Sequence, residues 1–157
     1  MRGISYGYEG VAGAKTFAHR LVRELGGRIL PVPKESKILY HLACVFASNY
    51  TVTVLGAAEE LLKTFGKRLP LSHFEKLVAA SVRNALDATA SAALTGPVAR
   101  GSASTIRLHL RELSRKKKRM LPLYRALGSY ALELTGTRKG LTAAQKLSLK
   151  KLLRVHE

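Results

Sequence analysis

A chain of 157 residues with 46% hydrophobic residues is long enough to bury a core and too apolar to stay disordered. Its one cysteine, Cys44, excludes a disulfide framework and a cysteine-based zinc site, and the lack of tryptophan with 6% aromatics argues against broad base-stacking platforms. Lys and Arg number 27 against 10 Asp and Glu, a formal net charge of +17, which suits nucleic acid, an acidic partner surface or an unusual host cytoplasm.

The opening MRGISYGYEG lacks the basic, apolar, small-residue order of a signal peptide and reads as a strand over 4–9. With its single cysteine, the chain is expected to be cytoplasmic. Gly10 and Gly13 open a turn, and Val11, Ala14, Phe17, Ala18, Leu21, Val22 and Leu25 then follow the helical period. Gly26-Gly27 stops that helix, and RILPV at 28–32 is a second strand ended by Pro33. A strand, a helix and a strand make a βαβ-sized unit. Two strands are too few for a parallel sheet, so this unit reads as the tail of something larger or an edge that needs a partner.

From Lys37 to Phe65 a long helix is expected, with no charged residue between Ile38 and Ala58 and no proline. It is apolar almost all round, as a central buried helix is. Set into it are His41, Ser48, Asn49, Thr51 and Thr53. At about 100° per residue, His41, Ser48 and Val52 fall within about 20° of one line, Lys37 about 40° away and Asn49 about 80°. That stripe reads as one wall of a site, although small polar residues on such a helix also serve to hydrogen-bond neighbouring helices. The run is long enough to span a membrane, but its polar centre and the lack of a second span argue against one.

Gly66 and Pro70 punctuate the next loop, and Ser72-x-x-Glu75 has the capping-box pattern for a helix over 72–94. Asn84, Asp87, Ser91 and Thr95 would form one polar stripe on it, with Asp87 ion-paired or hydrogen-bonded to a neighbouring helix. TGPVARG at 95–101 is a loop, Ser102 or Ser104 caps a helix that ends at RKKKR, 115–119, and Pro122 opens another helix that ends near Gly136. Thr142-x-x-Gln145 opens a final amphipathic helix. The expected fold is mainly α: a short β-α-β remnant of a Rossmann-type sheet at 1–33, then about five helices around one long central helix at 34–157.

None of GxGxxG, GxxxxGK[ST], GxSxG or HExxH occurs. The histidines His19, His41, His73, His109 and His156 are not at ligand spacing, so no metal site is assigned.

The segments YHLACVFASNY (40–50), NALDATASAALTGPVARGS (84–102) and LPLYRALGSYALEL (121–134) resemble the C-terminal helical domain, of unknown function, of a two-domain family. That family pairs it with a Rossmann NAD(P)-binding domain and is related to pyrroline-5-carboxylate reductase, ketopantoate reductase and 6-phosphogluconate dehydrogenase-like enzymes. GISYGYEG and the Gly-Gly-Arg strand resemble the last strands of the Rossmann half, so the likeness covers nearly all of residues 4–153. The family's glycine fingerprint would precede residue 1, so NAD(P) is implied for the family but no cofactor is expected on this chain alone. By the same resemblance His41 and Asn49 are the candidate catalytic residues, and Lys37, Ser48, Thr95 and Arg100 would bind substrate. It further implies a homodimer and a Rossmann domain or subunit as partner. The alternative is a non-catalytic basic module that uses its charged loop on an acidic protein or RNA; otherwise only non-specific attraction to nucleic acid is expected.

The RKKKR run lies where the apolar period lapses on both sides, so its side chains belong in water. Changing Lys116, Lys117 and Lys118 to Ser is expected to move the melting temperature by no more than about 2 °C, because exposed like charges contribute little. A drop of ten degrees in a thermal melt contradicts this placement.

Overall fold

The computed structural model describes residues 3–65, 69–136 and 140–155; Gly66 and His156, singled out above, lie outside them. The chain is mostly helical, with a two-stranded parallel sheet at its N-terminal end followed by helices, as the sequence leads one to expect. Packing divides it into two compact units, Met1–Glu60 and Leu61–Glu157.

The first unit begins with β1 (Ser5–Tyr8), α1 (Ala12–Glu24) and β2 (Arg28–Pro31). The strands pair in parallel, Ser5 opposite Arg28 and Tyr8 opposite Pro31. Gly26 adopts φ +70°, which lets the chain turn from helix into strand without a Cβ penalty. Gly27 is needed for a different reason: a Cβ there would sit 2.8 Å from the Ile4 carbonyl oxygen and against the Tyr6 ring.

The long helix runs Lys34–Phe65 and is assembled from pieces: a 3-10 turn (Lys34–Ser36), α2 (Lys37–Cys44), a π segment (Val45–Tyr50), α3 (Thr51–Leu62) and a closing 3-10 turn. Among the described residues it is the one helix long and apolar enough to cross a membrane. Its expected burial does not hold. Ile38 is 70% exposed, Phe46 63% and Val52 67%, and in the stretch from Lys37 to Leu62 only Leu62 is buried. The physical reason is that the two strands and one helix that precede it in the first unit are too few to cover it.

In the second unit the helix expected over 72–94 is interrupted. Leu71–Phe74 is a 3-10 turn, α4 (Glu75–Asp87) starts at Glu75, and Phe74 occupies the cap without a side-chain bond, so the Ser72 capping box is not formed. At Ala88 the backbone leaves the helical region (φ −120°, ψ −108°), and Thr89 caps a new short helix, α5 (Ala90–Ala93), by accepting from Ala92 N–H. The polar stripe is thereby cut in two: Asp87 stays exposed, while the Ser91 hydroxyl donates to the Leu134 carbonyl at 2.8 Å. The Thr89 hydroxyl next to Ala88 satisfies the backbone locally and starts a new helix there.

TGPVARG folds into α6 (Gly96–Ala99), flanked by Gly96 at φ +90° and Gly101 at φ +70°. Then follow α7 (Ala103–Lys116), α8 (Leu121–Thr135, with Pro122 in its first turn) and α9 (Ala143–Leu153). Thr142 and Gln145 form the expected reciprocal capping box. Val98, Ile106, Leu132, Leu149 and Leu153 make the core, with Leu153 closing over Gly128. Across α7 and α8, His109 Nδ1 lies 2.8 Å from the Tyr124 hydroxyl, whose pKa burial pushes up. Arg115, Lys116, Lys118 and Arg119 are exposed and Lys117 is half-buried. Lys116 and Arg115 reach back to Glu112 at 3.2 and 3.1 Å; the Lys116 hydrogen bond and charge, then Arg115, hold that carboxyl below its ordinary range.

Leu149 is fully buried among Val98, Ile106, Leu132 and Leu153. Leu149→Ala is expected to destabilise the protein by about 2–5 kcal/mol, the usual cost of a cavity in a packed core. Urea unfolding measures it, and a loss under about 1 kcal/mol means the site collapses freely.

Candidate functional site

Because β1 and β2 are parallel, their carboxyl ends lie side by side, the position where open α/β sheets place ligands. Tyr8, Glu9 and Gly10 leave β1 there, and Pro31, Val32, Pro33 and Lys34 leave β2. With Val11, just before α1, and Lys15 of α1 they line an open cavity of about 590 Å³. A second hollow of about 270 Å³, sharing Glu9 and Val32, is closed by Gly7, Lys37 and Tyr40.

Local chemistry fixes the walls. The Tyr8 hydroxyl donates to the Val11 carbonyl at 3.1 Å and covers Gly10, where a Cβ would lie 2.7 Å from the phenol oxygen. Tyr40 covers Gly7 in the same way, its ring 2.9 Å from where a Cβ would stand. Lys37 Nζ meets the Glu9 carboxylate at 2.7 Å, tying the start of α2 to the end of β1. Lys37 is 65% exposed, so this bond positions more than it stabilises. One turn on, the electrostatic influence of Cys44, then desolvation and a hydrogen bond to Cys44, raise the Tyr40 phenol above its usual pKa.

The π segment alters the stripe read from the sequence. A π turn closes i to i+5 bonds and advances about 80° per residue, against about 100° in an α-helix. Counting from His41, Asn49 and Thr53 then fall within about 15° of its line, while Ser48 and Val52 swing to about 75–90°. The Thr53 hydroxyl donates to the Asn49 carbonyl at 2.9 Å and that of Thr51 to Ala47 at 3.1 Å, bonds that bend helices. The exposed polar line is therefore Lys37, His41, Asn49 and Thr53, and Ser48 leaves it. Thr95 and Arg100 flank α6 in the second unit, both exposed.

Glu9, Tyr8 and Tyr40 were missed by sequence reasoning. Glu9 was legible as the acid at a strand end that faces a crossover; Tyr40 read simply as helix core. Among the described residues no three His, Cys, Asp or Glu side chains gather as metal ligands do.

Residues 4–131 match the family model described as a domain of unknown function, DUF2520. The fold is similar to the crystal structure of protein TM1727 from Thermotoga maritima, with TM-score 0.74 and 25% identity over 85% of this chain and 53% of that one. It is also similar to the putative NADP oxidoreductase BF3122 from Bacteroides fragilis, with TM-score 0.69 and 27% identity over 81% of this chain and 48% of that one. The chain thus spans about half the length of these two structures. Comparison with curated proteins gives no match.

Replacing Cys44 by Ser removes the thiol beside Tyr40, so the phenol is expected to titrate nearer the ordinary tyrosine value of about 10. Ultraviolet difference titration of wild type against variant reads the shift toward lower pH. Superimposable curves mean that the two groups are not coupled.

Proposed function

We propose, on the premise that this chain belongs to the DUF2520 family, that it is the helical half of an NAD(P)-dependent oxidoreductase. The single observation that carries the reading is the likeness to the putative NADP oxidoreductase of Bacteroides fragilis, which extends over 81% of this chain and about half of that protein. In this reading residues 1–33 close the Rossmann sheet of a nucleotide-binding domain or subunit, and 34–157 supply substrate groups and the dimer contact. Kinship to pyrroline-5-carboxylate reductase, ketopantoate reductase and 6-phosphogluconate dehydrogenase-like enzymes belongs to the same proposal.

His41 donates a proton to a substrate carbonyl oxygen as hydride arrives at its carbon, and Asn49, one line along the helix, orients that oxygen. Lys37 holds an acidic group of the substrate; its Glu9 partner keeps the ammonium in place until that group displaces it. Ser48, turned off the line by the π segment, has a lesser part. Thr95 and Arg100 keep a substrate role on the family resemblance alone. The reduced cofactor NAD(P)H, when bound, would supply the hydride and leave as NAD(P)+; the glycine fingerprint that would hold its pyrophosphate is not in this sequence.

The partner that covers Ile38, Leu39, Phe46 and Val52 is, in the same proposal, a second copy of the chain, in the cytoplasm and without a membrane. Their exposure along one helix supports this reading.

The test is a thermal-shift and calorimetric screen with NADH and NADPH. The chain alone is expected to show no micromolar binding. Mixed with the N-terminal half of the Bacteroides fragilis protein, it is expected to gain several degrees on adding NADPH, and light scattering of the chain should give twice its 17.1 kDa mass. Tight cofactor binding by the chain alone, or no stabilisation of the mixture, removes the proposal.

A further inference from the structure

The positive charge is unevenly spread. Residues 100–155 hold fifteen Lys and Arg against two acidic residues, Glu112 and Glu133. Such an asymmetry within one chain points to a polyanionic partner.

Within that region the structure orders three arginines. Ile106, Leu110 and Leu113 of α7 turn toward the second unit's interior, Ile106 fully buried. Arg107, Arg111 and Arg115, at i, i+4 and i+8, are all exposed along the opposite side. At about 1.5 Å per residue they span about 12 Å, a distance over which one strand of a duplex presents three to four phosphates at about 3.4 Å each. Among the described residues no acidic group pairs with Arg107 or Arg111, and Glu112 is shared by Arg115 and Lys116.

We infer that this face of α7 docks on the phosphate backbone of a nucleic-acid duplex without reading its sequence. Guanidinium groups match phosphate oxygens two at a time, which ammonium groups cannot do. The arginine row carries no aromatic side chain to stack on bases; the exposed apolar residue of α7, Leu108, has no hydrogen-bonding group to read a base edge. The row meets the RKKKR run at Arg115, while Lys117, Lys118 and Arg119 follow α7, the last two in a 3-10 segment (Lys118–Met120).

The experiment is fluorescence anisotropy of the full chain with three unrelated 20-base-pair DNA duplexes, a duplex RNA and a labelled poly-glutamate, at several salt concentrations. Three variants are compared with the wild type: R107S/R111S, the charge-conserving R107K/R111K, and the charge-matched control R20S/R23S on α1, with circular dichroism to check folding. The expected result is equal affinity for all duplexes and an R107S/R111S loss of tenfold or more, with the log–log salt slope shallower by about 2. The control is expected to change affinity less than threefold and the lysine variant to fall between. Equal losses in R107S/R111S and R20S/R23S reduce the effect to net charge and overturn the proposal. Poly-glutamate bound as tightly as duplex assigns the face to an acidic protein instead and overturns it too.

Discussion

The constraint on which the structure depends is the uncovered surface of the helix Lys34–Phe65. Val45, Val52, Val54, Thr51 and Thr53 are poor helix formers, so this segment is not held helical by propensity. Burying one large apolar side chain contributes about 1.5–3 kcal/mol, and Ile38, Leu39, Phe46 and Val52 each stand about two-thirds exposed. Their combined burial is comparable to the whole net stability of a small protein. Within the described residues that free energy stays unrealised on the helix surface.

The π segment answers a second demand on that helix. Five-residue turns are strained and rare, and they persist where an inserted residue re-aims side chains. Here the insertion falls on Val45–Tyr50 and carries Asn49 onto the line of His41. Phe46 and Tyr50 then meet edge to face at 4.9 Å, the one ring pair on this helix, and hold the widened turn in place. Without the insertion, Ser48 would occupy that line and Asn49 would point elsewhere. The polar wall is thus a product of backbone geometry as much as of residue choice.

That explains what was legible in the sequence and what was not. β1, α1, β2, Pro122 at a helix start and the Thr142 capping box each rest on local chemistry that acts within a few residues, and each appears where the pattern placed it. The break at Ala88 was not legible, because alanine has high helix propensity and the competing bonds come from Thr89 and, from α8, the Leu134 carbonyl. The Ser72 box failed for a related reason: a 3-10 turn after Pro70 consumed the residues that would have formed it. Lys37 could be named as a site residue, but its partner Glu9 lies beyond a whole βαβ crossover. A uniform 100° per residue hid the true stripe, since no residue in VFASNY announces a wider turn.

The two units also divide the electrostatics, and this bears on how an anionic substrate would be chosen. A chain with fifteen Lys and Arg against two acids over residues 100–155 attracts any anion, at long range and with strong salt screening. Such a field raises encounter rates but cannot tell a carboxylate substrate from a phosphate or a nucleic acid. Selection has to occur where geometry is fixed. The crevice at the strand ends has such geometry: Glu9 faces Lys37 at 2.7 Å, and Tyr8 and Tyr40 close over Gly10 and Gly7. In the proposed reading, an anion at Lys37 would have to displace the Glu9 carboxylate, which would favour shape and reach over charge alone.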